Sequence, residues 1–499
     1  MRPVLTVEQM RAVDQDALKD VTEAVLVERA GTAVATWALR LMGGAYARRV
    51  VVVAGKGNNG ADGRVAAARL AGRGARVTVV DAEHAPDRLG ADDNVDLVID
   101  AAFGTGFRGT YKAPSVPAGV RVLAVDIPSG VDGNTGCASG EALRADLTVT
   151  FAALKPGLLQ GDGPALCGEV QVADIGLDAS RANIWEVEDP DVGSLVPKRS
   201  RDAYKWQAAV LVVAGSPGMF GAASLCARSA YRAGAGMVRL GVPGAELQAM
   251  PAGEAVGFEL PRHGWAGAVL EVAARCGVVV IGPGIGRDPQ TAEDVRRVVS
   301  GSPVPVVADA DALFALGRPD EVASIAGSPE RLVLTPHSGE YSHMFGSAPG
   351  ADRIATASEA ARATGAVFLL KGPTTVVARG RGSDSAGDGG NEIGAGGGGS
   401  GSDSDSGSDR LADVRIVMSG GPNLATAGTG DVLSGAIGAF IARGTDPFEA
   451  AALAAHVHGR AAGLGPSEGL IAEDLADLIA DWLSKNQGRQ DRTIRGSKR

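Results

Sequence analysis

The 499-residue sequence lacks three kinds of pattern, namely a membrane-spanning run, a secretion signal and closely spaced cysteines. No apolar run is long enough to span a bilayer, and the amino-terminal residues lack the basic-then-apolar pattern of a secretion signal. Four cysteines, Cys137, Cys167, Cys226 and Cys276, are scattered without CxxC or metal-ligand spacing. These absences predict a cytoplasmic protein with reduced thiols and no membrane partner.

Positive charge is also in short supply. Lys and Arg number 48 against 58 Asp and Glu, which gives a formal net charge of −10. This excess of negative charge disfavours nucleic acid or an anionic membrane as a partner. The chain is nevertheless rich enough in apolar residues, at 45%, to form about two large domains or three ordinary ones.

The first half of the sequence alternates strand-like runs with helical patterns. Thr6 and Gln9 form a capping box, a helix is predicted over 22–42, and the β-branched run Arg49–Ala54 is typical of a strand buried on both faces. Such alternation predicts an α/β fold with a parallel, doubly wound sheet. Further strands are predicted at 77–80, 95–100, 122–126 and 147–151.

Polar, glycine-rich loops follow three of these predicted strands. They are GKGNNGADG at 55–63, DAAFGTGFRG at 100–109 and DIPSG at 126–130. In a parallel sheet, ligands bind at the carboxyl ends of the strands, where all three loops would meet. The loops therefore predict a functional site rather than ordinary packing.

The second half begins after a predicted linker at 186–198 and forms a second α/β domain. We place the two domains at 1–188 and 189–499. A stretch of Gly, Ser and Asp at 380–410 has almost nothing to bury and is predicted to be a disordered insert between strands at 375–378 and 414–418. The other strands predicted in this half lie at 209–214, 237–242, 278–281, 304–308, 332–334 and 367–370.

The clearest chemical pattern is SGGPNLATAGTGDVLSG at 419–435, between a predicted strand and an apolar helix. Gly428 and Gly430 allow a tight turn whose N–H groups face the positive end of the helix, so that an anion is held there without side-chain charge. Asp431 would then accept a proton from a hydroxyl that attacks a phosphate. The alternative is a glycine-rich turn in which the Asp only caps the helix.

Taken together, these motifs resemble those of the bifunctional NAD(P)H-hydrate repair enzymes. The resemblance spans nearly the whole chain except the insert and the tail. It implies a Rossmann-like NAD(P)H-hydrate epimerase domain followed by a ribokinase-like, ADP/ATP-dependent NAD(P)H-hydrate dehydratase domain. The matching motifs of the first half are LVERAG (26–31), GNNGADG (57–63), GTG (104–106) and DIPSG (126–130). Those of the second half are GPG (282–284), DADAL (309–313), LTPHSGE (334–340) and GTGD (428–431).

The resemblance implies that the substrates are NADHX and NADPHX, which carry a hydroxyl at C6 of the nicotinamide ring. The first domain would interconvert their R and S forms, with Asp126 as the catalytic group facing the nicotinamide. K⁺ would be bound by Asn59, Asp100 and Ser129. The residues that would hold the dinucleotide are Asn58, Asn59, Gly60, Ala61, Asp62, Gly104, Thr105, Gly106, Phe107, Arg108, Gly109 and Thr110.

The second domain would dehydrate the S form at the expense of ADP or ATP with Mg²⁺, with Asp431 as the base. By the same resemblance, Ala222, Gly284 and His337 would line the hydrate pocket together with Asp431. A homo-oligomer is also expected. The nucleotide would lie along Lys371, Gly372, Pro373, Thr374, Thr375 and Gly430.

Two departures from the family pattern and two rival interpretations remain open at this point. Ala61 stands where the family usually has glycine, which requires a negative φ or some strain. The loop at 215–222 lacks the usual aromatic residue before Gly-Ala but keeps Phe220.

The rival interpretations are a ribokinase-like small-molecule kinase and, for the first half, a non-catalytic Rossmann-like binding module. His456 and His458 are interpreted as helix packing, Asp309 and Asp311 as residues that hold a helix start.

Overall fold

A computed structural model describes residues 1–89, 94–250, 253–328, 331–380 and 412–496. Apart from residue 380, the predicted insert at 380–410 lies outside the described residues. The chain divides into two compact units, Met1–Glu186 with Pro349–Ile354, and Val187–Ala348 with Ala355–Arg499. We refer to them as the first and second units.

The first unit is built on a parallel sheet with the strand order β3-β2-β4-β6-β8-β9. Its described strands are β1 (Arg2–Val4), β2 (Arg49–Ala54), β3 (Arg76–Asp81), β4 (Leu97–Ala101), β5 (Tyr111–Lys112), β6 (Arg121–Val125), β7 (Gly140–Glu141), β8 (Leu147–Phe151), β9 (Glu169–Ala173) and β10 (Ile184–Glu186). Its helices are α1 (Val7–Ala17), α2 (Glu23–Met42), α3 (Asn58–Ala71), α4 (Pro156–Leu159) and α5 (Gly163–Leu166). The order of the strands reverses between β2 and β4, which is the place where a doubly wound sheet usually binds its ligand.

Strand β2 shows why this sheet is buried on both faces. Val50 and Val52 point into a core that includes α2 and α3, whereas Val51 and Val53 point into a second core on the opposite face. The predicted capping box of α1 is present, and α2 ends at Gly43 with a φ of 69°. The predictions for β2, α1 and α2 are therefore confirmed.

The second unit contains a sheet with the order β19-β18-β17-β16-β15-β14-β11-β12-β13, parallel except at β17/β18 and β18/β19. Its described strands are β11 (Ala209–Val213), β12 (Met237–Pro243), β13 (Val256–Leu260), β14 (Val278–Ile281), β15 (Val306–Ala308), β16 (Leu332–Leu334), β17 (Val367–Leu370), β18 (Thr375–Arg379) and β19 (Asp413–Val417). The helices from α6 onward are α6 (Asp189–Leu195), α7 (Phe220–Arg232), α8 (Ala266–Ala273), α9 (Pro289–Gly301), α10 (Asp311–Leu316), α11 (Pro319–Ile325), α12 (Ser338–Phe345), α13 (Arg353–Thr364), α14 (Thr429–Ala442), α15 (Pro447–Ala462) and α16 (Ala472–Gly496). The expected α/β class is thus confirmed for both units.

Two sequence predictions about connections have opposite outcomes. The strands that flank the insert do pair, because β18 and β19 are antiparallel with Thr375 opposite Val417.

The linker predicted at 186–198 is wrong, since α6 occupies most of it. Asp189 at the start of α6 accepts hydrogen bonds from His456 Nε2 at 2.8 Å and Arg460 Nε at 2.6 Å on α15. The prolines and acidic residues that suggested a linker instead serve a helix start.

None of the helices that the structure describes combines the length and the apolar character needed to cross a membrane. The apolar helix α14 is packed inside the second unit against α7. A Cβ on Gly435 would come within 2.2 Å of the Cys226 carbonyl oxygen, and one on Gly438 within 2.4 Å of Val280 Cγ2. Glycine at these positions therefore allows α14 to approach both α7 and the sheet.

We predict that Gly435→Ala and Gly267→Ala change stability in opposite directions. Alanine at 435 forces α7 away from α14 and should destabilise the protein by about 1–3 kcal/mol, because the obstructing atom belongs to the backbone. Gly267 lies in α8, and nothing lies within 4 Å of the position that the methyl group of an alanine would take. There alanine should stabilise by up to about 1 kcal/mol through helix propensity. Thermal unfolding measures both, and an equal gain for the two variants would contradict the packing described.

Candidate functional site

A cavity of about 550 Å³ in the first unit opens at the crevice between β2 and β4. The loops after these strands touch, since a Cβ on Gly55 would lie 1.9 Å from the Ala102 carbonyl oxygen. The cavity lining includes the predicted residues Asn58, Asn59, Asp62, Gly104, Thr105, Gly106, Phe107 and Asp126. The predicted residues Gly60, Ala61, Arg108, Gly109 and Thr110 are not part of the described lining.

Asp126, which follows β6, forms the centre of a buried polar group in this cavity. Its Oδ1 lies 2.7 Å from Lys155 Nζ and accepts a hydrogen bond from Thr150 Oγ1 at 3.1 Å. Lys155 is only 1% exposed and also donates to Thr150 Oγ1 at 2.8 Å and to the Phe151 carbonyl at 3.0 Å. Asp126 has a φ of 67°, in the left-handed region that favours glycine. Backbone strain of this kind is concentrated at functional sites.

Four further carboxyl groups line the same cavity, those of Asp14, Glu23, Asp62 and Glu83, and the pKa values of Asp14 and Asp62 are raised. Burial, together with the nearby Asp126 and Asp14, raises the pKa of Asp62 to about 8. Burial also raises the pKa of Asp14, while Lys155 lowers it and Asp126 raises it. Asp62 therefore holds a proton at neutral pH. The cavity offers a proton donor and the lysine-paired Asp126 side by side, as acid–base chemistry requires.

Asp100 and Ser129 form a separate buried pair beneath this cavity. Asp100 accepts hydrogen bonds from Ser129 Oγ at 2.6 Å and Ser129 N at 2.9 Å, and burial raises the pKa of its carboxyl group. In the described part of the chain no Lys or Arg forms an ion pair with Asp100. Asn59 Nδ2 is likewise buried without a hydrogen-bond partner among the described residues.

In the second unit, the GTGD sequence forms the start of α14 as predicted. Gly428 has a φ of 89°, and α14 begins at the next residue. A Cβ on Gly430 would lie 3.5 Å from Lys371 Nζ and 3.6 Å from Asp309 Oδ2, so the glycine keeps this corner open between charged groups. The structure thus brings Gly430 and Lys371, both predicted to meet the nucleotide, to one place.

Asp309 and Lys371 form the ion pair of this corner. Lys371 Nζ lies 2.8 Å from Asp309 Oδ1 and 3.8 Å from Glu340 Oε2, while Ser434 Oγ on α14 donates to Asp309 Oδ2 at 2.7 Å. Burial alone would raise the pKa of Asp309, but Lys371 holds it below its ordinary value. The interpretation of Asp309 as a residue that only holds a helix start is therefore wrong. Asp311 does hold a local turn, through Gly286 N at 3.1 Å and Arg287 Nε at 2.6 Å.

Asp431, in the first turn of α14, is a third carboxyl group near this ion pair, and its pKa is shifted. Its burial and the neighbouring Asp309 raise its pKa to about 7, an increase that Lys371 partly offsets. A group with a pKa near neutrality is the most effective general base at physiological pH. Such a shift is also a typical feature of functional sites.

Two histidines hold the surrounding backbone. His458 is buried on α15 with a pKa lowered to about 4, so it is neutral, and its Nε2 donates to the Thr429 carbonyl at 2.9 Å. It therefore fixes the first turn of α14 rather than serving only as helix packing. His337 caps α12, with Nδ1 accepting from Gly339 N at 2.9 Å and Glu340 N at 3.3 Å. Of the remaining predicted pocket residues, Ala222 and Gly284 are adjacent, since a Cβ on Gly284 would lie 3.1 Å from Ala222 Cβ.

Comparison with known proteins agrees with this division into two sites. A model of the NAD(P)H-hydrate dehydratase family matches residues 210–407 and 409–485, and a model described as YjeF-related protein N-terminus matches residues 23–90 and 81–157. The chain is 35% identical to the bifunctional NAD(P)H-hydrate repair enzyme Nnr of Moorella thermoacetica, over 98% of each chain. This chain belongs to the family of bifunctional NAD(P)H-hydrate repair enzymes.

A second relative gives the same relationship, and one solved structure is similar to part of the chain. The bifunctional NAD(P)H-hydrate repair enzyme Nnr of Mycobacterium tuberculosis is 34% identical over 91% of this chain and 92% of its own. The ADP/ATP-dependent NAD(P)H-hydrate dehydratase of Bacillus subtilis, co-crystallised with ATP and Mg²⁺, is 25% identical, with a TM-score of 0.45, over 61% of this chain and 99% of its own. Matches to both halves favour the repair family over a kinase fused to a binding module.

The structure resolves one departure from the family pattern and adds one residue that the sequence did not indicate. Ala61 lies in the first turns of α3 and has no positive φ, so alanine is accommodated without strain. Lys155 was not predicted, although a lysine four residues after the end of the buried strand β8 is a detectable signal. Because carboxyl ends of parallel strands meet at one edge, a lone charge there points toward the site.

We predict that Lys155→Met destabilises the protein by about 3–5 kcal/mol, because it leaves Asp126, which lies near the carboxyl groups of Asp14 and Asp62, without the buried lysine that pairs with it. The double variant Lys155→Met/Asp126→Asn should recover at least half of this loss, which a double-mutant cycle measures. Lys19→Met, which removes an exposed pair with Asp16, serves as the control and should leave the melting temperature unchanged. A double variant as unstable as the single one would contradict the pairing.

Proposed function

We propose that the protein repairs hydrated NADH and NADPH in two steps. The first unit interconverts the R and S forms of NADHX and NADPHX, and the second unit dehydrates the S form at the expense of ADP or ATP. The observation that carries this proposal is Asp431, a carboxyl group with a pKa of about 7 at the glycine-rich start of α14. Membership of the repair family supplies the substrate.

Dehydration requires that a poor leaving group, hydroxide, be converted into a good one. Asp431 takes the proton of the C6 hydroxyl as its oxygen attacks the terminal phosphoryl group of the nucleotide. The N–H groups of Gly428 to Gly430 hold the charge that develops, at the positive end of α14. Phosphate then leaves with loss of a ring proton, which restores the dihydropyridine. The nucleotide enters as its Mg²⁺ complex, so part of its phosphate charge is already neutralised.

The nucleotide is proposed to lie along the loop from Lys371 to Thr375, beside Gly430. Lys371 contributes positive charge to this corner, although much of that charge is balanced by Asp309 at 2.8 Å. Ala222, Gly284 and His337 are proposed to contact the hydrate. The Nδ1 atom of His337 is used by the cap of α12 and its Nε2 lies 3.4 Å from Glu340 Oε1, but the side chain is 60% exposed, so that a ligand can reach the imidazole ring.

Epimerisation is proposed to occur in the cavity of the first unit, with Asp126 exchanging protons at C6. The dinucleotide is held by the loops at 58–62 and 104–110. K⁺ is proposed to bind at Asn59, Asp100 and Ser129, where it would supply the positive charge that the buried Asp100 lacks. Hard oxygen ligands of this kind suit such a cation. We also infer a cytoplasmic location, in keeping with four free thiols, and a homo-oligomer remains a prediction.

We predict that Asp431→Asn abolishes dehydration and leaves epimerisation intact. Loss of a general base costs about 10²–10⁴-fold in rate, whereas the epimerase cavity lies in the other unit. Recovery of NADH absorbance from the S hydrate with ADP or ATP measures dehydration. Dehydration within about tenfold of the wild-type rate would exclude Asp431 as the base.

The same variant has a second expected result, in stability. The folded-state pKa of Asp431, about 7, lies above the ordinary value of 3.8, so the folded protein binds this proton more tightly than the unfolded chain. Stability therefore falls as the pH rises between these values. Asp431→Asn has no carboxyl group to ionise and therefore avoids this loss of stability. Its gain in melting temperature over the wild type should be larger at pH 8 than at pH 5. A gain that does not depend on pH would contradict the raised pKa.

We predict that Asp126→Asn abolishes epimerisation, because it removes the carboxylate that is paired with the buried Lys155, while the S hydrate is still dehydrated at the normal rate. With a mixture of R and S hydrates and saturating nucleotide, the S form should be consumed rapidly. The reaction should then stall with the R form remaining, beyond its slow spontaneous conversion. Full consumption at the wild-type rate would mean that Asp126 has a structural role.

A further inference from the structure

A second cavity in the second unit carries positive charge in a protein whose net charge is −10. It has a volume of about 370 Å³, and Lys198, Arg199, Lys205 and Arg443 are among the residues that line it. None of the described residues in its lining is acidic. We call it the basic cavity.

The two arginines of the basic cavity are close enough to oppose each other's charge. Burial and the neighbouring Arg199 lower the pKa of Arg443. Arg443 Nε is buried without a hydrogen-bond partner in the part of the chain that the structure describes. Two guanidinium groups that are crowded together and partly buried are stabilised when an anion binds.

A structural role accounts for only part of this arrangement. Arg443 donates to the carbonyls of Ala233 at 3.1 Å and Pro197 at 2.7 Å, and Arg199 donates to those of Gly234 at 2.8 Å and Ala235 at 2.7 Å. These hydrogen bonds are accepted by carbonyl groups, most of them near the end of α7, where cationic side chains often bind. They do not explain the placement of Lys205 at the same cavity.

The basic cavity is separate from the nucleotide corner. Arg443 is the residue that ends α14, whereas Gly430 and Asp431 are at its start. A helix of 14 residues is about 20 Å long, so this length of α14 separates the two positions. Ala208 and Gly236, which also line the cavity, precede β11 and β12, at the edge of the sheet opposite the carboxyl ends.

We propose that the basic cavity binds a phosphate-bearing anion of mononucleotide size or smaller. Its volume lies near the lower end of the range for small-molecule sites, about 300–1,000 Å³. Guanidinium groups match phosphate oxygens in geometry as well as charge. Tyr204, at the rim, is 62% exposed and offers an aromatic face on which a base can stack. The site does not depend on the function proposed above.

Isothermal titration of the full chain without Mg²⁺ tests this proposal, with inorganic phosphate and AMP as separate probes. Lys205→Gln should weaken binding at least threefold, and Lys205→Gln/Arg199→Gln at least tenfold. Arg201→Gln is the matched control, because Arg201 is an exposed neighbour outside the lining and should leave binding unchanged. Tighter binding of AMP than of phosphate shows that the base is recognised, and equal binding shows that phosphate alone is; either supports the site.

Lys371→Met separates this site from the nucleotide corner, and the basic cavity should bind both probes normally in that variant. Three results would overturn the proposal. One is loss of binding in Lys371→Met together with normal binding in Lys205→Gln/Arg199→Gln. The second is equal weakening by Arg201→Gln and Lys205→Gln. The third is no heat from either probe at millimolar concentration. Melting temperatures of the variants, measured in parallel, exclude unfolding as the cause of lost binding.

Discussion

The ion pair between Lys371 and Asp309 is the interaction on which the site of the second unit depends. Asp309 is almost completely buried at the carboxyl end of β15, where an unpaired carboxylate would be costly. Lys371, at the end of β17, supplies the opposite charge at 2.8 Å, and Ser434 adds a hydrogen bond from α14. The pair thus joins two strands and the helix that carries the glycine-rich corner.

This pairing also explains why Asp431 is suited to accept a proton. Lys371 is already committed to Asp309, so it offsets only part of the cost of burying a second carboxylate nearby. The pKa of Asp431 consequently rises to about 7. The first unit uses the same principle with different residues, since Lys155 pairs with Asp126 and Asp62 is left with a pKa of about 8. In each unit a lysine pairs with one carboxyl group, and a neighbouring carboxyl group has a raised pKa.

The sequence predicted the positions of the strands well because buried parallel strands are continuous β-branched runs with polar loops at their ends. It predicted that Asp126 and Asp431 would lie at strand and helix ends for the same reason. It did not reveal Lys155 or the role of His458, because their partners lie far apart in sequence and only the fold brings them together. The linker at 186–198 was wrong because prolines and acidic residues are equally typical of a helix start, which is how α6 uses them.

The most direct test of the central claim is the recovery of NADH absorbance from a purified mixture of R and S hydrates by the wild-type protein. The account predicts complete recovery of both forms with ADP or ATP present and no recovery without nucleotide. Recovery that stalls after the S form would remove the epimerase function from the first unit. Recovery without nucleotide, or none with it, would contradict the phosphoryl-transfer role assigned to the corner at Asp431.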